Sequence, residues 1–142
     1  MVFWERQKTV SSLYEKCIQS TRDRFHLTRI QFDILMFLHN NPQFDTAADM
    51  VKIRKLTKSH VSAALKDLEQ RGYVCSEYAK NNNKSRHIRI LPAASEIITA
   101  GIQAQCDFGQ ILFRDFTAAE TESFQNMFER MYENAAQKLE EM

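Results

Sequence analysis

Apolar side chains recur along most of this chain at helical spacing. Across residues 9–24 the stripe positions are Val10, Leu13, Tyr14, Cys17, Ile18 and Thr21, which share one side of a helix. Thr28 with Gln31 three residues later is a capping-box pattern and opens a second helix. Phe32, Ile34, Leu35, Met36, Phe37 and Leu38 leave that helix few polar faces, so it is predicted to be central and buried. Asn40-Asn41-Pro42 stops it. Thr46 can cap a short third helix through Ile53, with Asp49 near its positive end. Thr57 can cap a fourth through Arg71, closed by Gly72 in a left-handed conformation. Val61, Leu65 and Leu68 are predicted to face inward. Ser59, Ala63, Lys66 and Gln70 fall opposite, with Ser62 at the margin.

The period then changes. Residues 73–78 and 86–90 have strand character on either side of a polar, basic tip at residues 79–85, which predicts a hairpin. Pro92 fits the first turn of a fifth helix running to about Phe113, with Ile98, Ile102, Cys106, Gly109 and Phe113 on one face. Thr117 and Glu120 make another capping box, and the sixth helix carries Phe124, Met127, Phe128, Met131, Ala135 and Leu139 on one stripe with acidic residues opposite. The predicted class is mainly α with one small β-hairpin. Two short helices, a tight turn and a hairpin give a winged helix-turn-helix core at residues 28–91. An N-terminal helix (1–27) and C-terminal helices (92–142) flank it, and their apolar stripes are rich enough to want a partner surface, either each other or a second copy of the chain.

Composition narrows the picture. A length of 142 residues suits one domain or one module with added helices. Only three glycines and two prolines argue against a sandwich or barrel. The longest nearly apolar run, residues 34–38, is far too short for a membrane span. The N-terminus has no signal-peptide core, so a cytoplasmic protein with no membrane partner is expected. Net charge is +6 over residues 46–90, +1 over 1–45 and −6 over 91–142. That asymmetry points the central stretch towards a polyanion.

Double-stranded DNA is the polyanion this pattern fits. In a helix-turn-helix the second helix enters the major groove while the first lies across the backbone. Lys58, Ser59, Ser62, Ala63 and Lys66 would face the groove, and His60 could touch a base edge or phosphate. Thr46 could offer a hydroxyl and free N–H groups to a phosphate. Lys80, Asn82, Asn83, Lys84 and Arg86 on the hairpin suit phosphate or minor-groove contact. The alternative is a basic face that meets an acidic protein. No GxSxG, phosphate-cradling glycine loop, HExxH or acid/base pair occurs, so neither an enzyme nor a cofactor is expected. The histidines (His26, His39, His60, His87) are scattered and predict no metal site. Cys17, Cys75 and Cys106 are too few and too widely spaced for a disulfide framework or CxxC knuckle.

Residues 28–90 resemble the winged core of the MarR family of bacterial transcription regulators. The resemblance rests on the run from Thr28 to Leu35 (TRIQFDIL), on Leu56-Thr57-Lys58-Ser59-His60-Val61-Ser62, and on Leu68-Glu69-Gln70-Arg71-Gly72-Tyr73-Val74. Phe116-Thr117-Ala118-Ala119-Glu120 is similar to the start of the family's last helix. The resemblance implies a homodimer joined through the terminal helices and a pseudo-palindromic operator. It also implies repression relieved by a small-molecule effector, in a cleft whose residues the sequence does not assign. Two positions depart from the family pattern. Asn83-Lys84-Ser85 stands where Asp-x-Arg is usual, with Arg86 one place later, and Leu91-Pro92-Ala93-Ala94-Ser95 replaces Leu-Thr-x-x-Gly. Lys55 holds a turn position where glycine is common. Some relatives sense oxidants through a cysteine. Cys17 is the candidate here, against the plainer reading of a small hydrophobe on the apolar stripe.

Overall fold

The computed structural model describes residues 1–79 and 82–142. The elements run α1 (Phe3–Phe25), α2 (Arg29–Asn40), α3 (Ala47–Arg54), α4 (Lys58–Gln70), β1 (Val74–Ala79), β2 (Asn82–Ile90), a 3-10 turn (Pro92–Ala94), α5 (Ser95–Leu112) and α6 (Ala118–Glu141). Among the described residues, no helix is long and apolar enough to cross a membrane. The chain divides into two compact units, Met1–Phe108 and Gly109–Met142.

Threonine starts four of these helices. Thr28 Oγ1 accepts the Gln31 N–H at 3.2 Å, and Gln31 Oε1 accepts the Thr28 N–H at 3.0 Å. Thr46 and Asp49 form the same reciprocal pair, with both bonds at 3.1 Å. Thr57 takes the His60 N–H at 3.3 Å. Thr117 and Glu120 close the fourth cap, and the bond from the Thr117 backbone N–H holds the Glu120 carboxyl below the usual range. Each cap satisfies N–H groups that a helix start leaves open. Helix α1 begins at Phe3, ahead of the expected Thr9, because the Glu5 carboxylate accepts the Val2 N–H at 2.9 Å. Gly72 takes φ 77° after α4, the left-handed stop its position predicts.

Helix α2 is the centre of the first unit, as its hydrophobic run predicts. Phe32 and Leu35 are fully buried, and Ile34, Met36, Phe37 and Leu38 nearly so. Each such side chain contributes roughly 1.5–3 kcal/mol over an exposed position. Ile18 from α1, Met50 from α3, Val61 and Leu68 from α4, Val74 and Ile88 from the hairpin and Ile97 from α5 complete the core. Two face assignments change. On α4 the third buried position is Ala64, while Leu65 is half-buried at the edge of a cleft. On α5 the inward residues are Ile97, Ile98, Gly101 and Ala104, whereas Ile102 and Cys106 are exposed. Gly101 decides this. A Cβ there would lie 2.4 Å from Met36 Sδ, so α5 approaches α2 through its glycine and turns Ile102 outward. Cys17 and Cys75 are half-buried and Cys106 is exposed, all three as free thiols.

Two carboxylates and one arginine tie the helices to one another. Asp33, whose side chain is only 9% exposed, receives Arg29 Nε at 2.9 and 3.0 Å and Arg54 Nη2 at 3.1 Å. Glu15 on α1 pairs with both Arg22 and Arg29, so the chain of charges runs from α1 through α2 to the end of α3. Burial works against the Arg29 charge, but the hydrogen bonds and attraction of Asp33 and then Glu15 outweigh it and raise its pKa. Arg71, at the end of α4, donates to the carbonyls of Phe25 and His26 at 2.5 and 2.9 Å and so caps α1 from outside.

The hairpin pairs Val74 with Ile90 and Tyr78 with Arg86. From there the register jumps to Ala79 against Asn82, which places three more residues on β2 than on β1, a bulge. β2 therefore starts at Asn82, inside the segment expected to be turn, because backbone pairing extends further than the side-chain pattern advertises. At its other end the hairpin is anchored to the approach to α3. The Ile88 N–H donates to the Asp45 carbonyl at 2.8 Å, His87 Nδ1 lies 2.7 Å from Asp45 Oδ1, and Thr46 bridges to His87.

The second unit, which contains the end of α5, is built on aromatic rings. Phe113 meets Phe116 and Phe124 edge-on at 5.4 and 5.5 Å, and Phe124 stacks on Phe128 at 5.9 Å. Helix α6 nonetheless has no buried residue; Met127, Phe128, Met131, Tyr132 and Leu139 are all about half exposed.

Candidate nucleic-acid interface

Helix α4 presents its polar face to solvent. Lys58, Ser59, His60, Ser62, Ala63 and Lys66 are all exposed, as the helical period predicts. Both carboxylates of α4 are occupied elsewhere. Asp67 accepts a bond from the buried Gln31 amide and pairs with Arg71 at 3.6 Å. Glu69 accepts Ser76 Oγ at 3.2 Å and lies 3.9 Å from Arg86 Nη2. Both acidic residues of α4 are thus paired within the fold, Asp67 with Gln31 and Arg71, and Glu69 loosely with Ser76 and Arg86.

The hairpin has two distinct faces. Val74, Ser76, Tyr78, Arg86 and Ile88 point towards α3 and α4, where they line a cleft of about 500 Å³ with Thr46, Ser62 and Lys66. Cys75, Glu77, His87 and Arg89 alternate to the other face. There Arg89 Nη2 bonds to Glu77 at 3.3 Å and lies 3.6 Å from Cys75 Sγ. Four of the residues selected from sequence, Thr46, Ser62, Lys66 and Arg86, therefore meet around one cleft. Lys58, Ser59, His60 and Ala63 lie on the exposed side of α4 beside it.

Two details differ from expectation. The Thr46 hydroxyl and N–H are engaged in the cap with Asp49, so the open donors at the start of α3 are the N–H groups of Ala47 and Ala48, which also line the cleft. Arg86 is not a free projecting arm: its Nη2 donates to Ser76 Oγ and its guanidinium carbon sits 5.6 Å from the Tyr78 ring centre. Sequence reasoning missed Glu69 as the partner of this arginine. The only available signal was the alternation that puts Ser76 and Arg86 on one face. Lys80 lies outside the described residues, and for Asn82, Asn83 and Lys84 the description covers the β2 backbone alone. Among the described residues no group of three His, Cys, Asp or Glu side chains could hold a metal ion.

A MarR family model matches residues 26–78. No curated protein matches the chain. Solved structures match over nearly its full length. A crystal structure of MarR superposes with a TM-score of 0.81 at 21% identity, covering 100% of this chain and 96% of that one. A Listeria monocytogenes protein complexed with 26mer DNA gives 0.81 at 17% identity, covering 97% and 91%. The S. aureus MepR–DNA complex gives 0.75 at 16% identity, covering 94% and 98%. The winged-helix architecture and the family resemblance read from residues 28–90 are both borne out.

Proposed function

We propose that this chain, a winged helix whose residues 26–78 match the MarR family, is a DNA-binding transcription regulator of the cytoplasm that works as a homodimer. The observation that carries this reading is the cleft where Thr46, Ser62, Lys66 and Arg86 converge beside the exposed face of α4. A recognition helix in the major groove needs phosphate contacts on its flanks to fix its register, and the cleft supplies donors from α3, α4 and β2 together. In this reading Lys58, Ser59, His60, Ser62, Ala63 and Lys66 meet base edges and nearby phosphates. Arg86, the open Ala47 and Ala48 N–H groups behind the Thr46 cap, and the hairpin residues Lys80, Asn82, Asn83 and Lys84 contact backbone.

The homodimer has its own support. A 24-residue helix with no buried residue and a half-exposed stripe of Phe, Met and Leu is unstable as a free surface and fits a second copy. A two-fold pair presents two copies of α4, which suits half-sites about 10 bp apart in a pseudo-palindrome. Repression, and relief by a small-molecule effector, follow from the family resemblance. The deciding measurement is binding to the DNA flanking the protein's own gene, by mobility shift across a salt series. Binding should weaken steeply as salt rises, with a log–log slope of about −0.9 per phosphate contacted. Absence of a shift at low salt would refute the proposal and favour an acidic protein partner.

A further inference from the structure

We propose that Glu69 is an internal stand-in for DNA phosphate, holding Arg86 across the cleft until a phosphate displaces it. This rests in part on the DNA reading above and adds to it a residue that sets affinity. The geometry is specific. Arg86 Nη2 donates to Ser76 Oγ, Ser76 Oγ lies 3.2 Å from Glu69 Oε1, and the direct Arg86–Glu69 separation is 3.9 Å. Glu69 is the one carboxylate among the described residues lining a cleft that also holds Lys66 and Arg86. Both members of the pair remain about half exposed, at 52% for Arg86 and 45% for Glu69, so the pair is weak and exchangeable rather than structural. A cleft of about 500 Å³ leaves ample room for a phosphodiester beside the guanidinium.

A phosphate entering this cleft meets two opposing effects. It gains Arg86, which binds a phosphate through charge-assisted hydrogen bonds at least as well as a carboxylate. It also meets the negative Glu69 at close range once the arginine has turned away, and like charges so placed repel. Glu69 therefore lowers affinity for every duplex alike, since phosphate carries no sequence information. That keeps the contribution of α4 to base recognition a larger share of the total.

The test uses the full chain with Glu69→Gln, Arg86→Ala, the double variant and Glu77→Gln. Glu77 has the same charge and also pairs with a hairpin arginine, Arg89, but on the opposite face. Measured by fluorescence anisotropy, Glu69→Gln should bind a fixed duplex and a scrambled one about three- to fivefold more tightly, the gain from freeing one exposed ion pair. Glu77→Gln should change binding less than twofold, and the Glu69→Gln gain should vanish when Arg86 is alanine. An equal gain in Glu77→Gln, a gain that survives loss of Arg86, or no gain at all would overturn the proposal. A second arm needs no DNA: pyrophosphate is titrated while the Arg86 Nε–Hε NMR signal is followed. Glu69→Gln should lower the pyrophosphate concentration that shifts this signal about threefold, and an unchanged midpoint overturns the proposal. If wild type binds no duplex, the regulator reading fails, and this arm alone then decides whether Glu69 guards Arg86.

Discussion

Replacing Asp33 by alanine tests whether the charge chain from α1 to α3 holds these helices together. The carboxylate is 9% exposed at the side chain, accepts the Arg29 Nε–H through both oxygens and pairs with Arg54 at 3.1 Å. Bonds to charged groups contribute about 1.5–3 kcal/mol each when isolated, but these contacts share one carboxylate and do not add. Arg29 and Arg54 are 38% and 41% exposed, so water screens both and recovers them when the partner is lost. Arg29 also keeps Glu15. The net loss is therefore expected near 2 kcal/mol, below the 3–5 kcal/mol typical of breaking a fully buried pair. For a chain of this size that lowers the melting temperature by roughly 6 °C. Urea unfolding followed by circular dichroism measures it, and Arg54→Ala should cost about 1 kcal/mol on the same scale. The double variant should show a coupling of about 1 kcal/mol between the two. A loss for Asp33→Ala below about 0.5 kcal/mol, or a coupling indistinguishable from zero, would mean the pair is surface ornament and the reasoning fails.

Three further outcomes are expected. Lys66→Ala or Ser59→Ala should alter which sequences are selected from random DNA, whereas Lys84→Ala should weaken all sequences alike; a changed operator preference in Lys84→Ala refutes that division. Sedimentation at micromolar concentration should give a dimer for wild type and a monomer for Phe128→Glu, since Phe128 is 52% exposed on the α6 stripe; a monomeric wild type removes the homodimer. Lys55, held at φ 57° in the turn before α4, carries a conformational penalty that glycine avoids, so Lys55→Gly should raise stability by about 0.5–1 kcal/mol in urea unfolding, and a loss instead would show that the side chain packs.

The helix starts were legible because a threonine cap is a local event: Thr28, Thr46, Thr57 and Thr117 each solve their hydrogen bonding within three residues. The burial of α2 was equally plain, since a helix apolar on nearly every side has only the interior to occupy. The inward face of α5 was not. Ile102 and Cys106 continue a plausible stripe, yet the close approach of Gly101 to Met36, a contact between residues distant in sequence, rotates that stripe outward. The exposed side of α4 followed from periodicity, and so did most of the candidate interface. The cleft and the Glu69–Ser76–Arg86 link did not, because they arise where two elements meet. The bulge that carries β2 back to Asn82 also escaped, since backbone pairing leaves no mark in a run of asparagines.

The anchoring of β2 to Asp45 has a consequence for how the hairpin can move. The hairpin is joined to α4 through Gly72 and bonded through Ile88 to the residue before Thr46, both at its base. Its base cannot shift without breaking the Ile88–Asp45 bond. The base of the sheet is expected to move together with the start of α3, so that a tilt of one displaces the other. The amide of Ile88 reports on that coupling: its hydrogen exchange should track that of the Leu35 core amide.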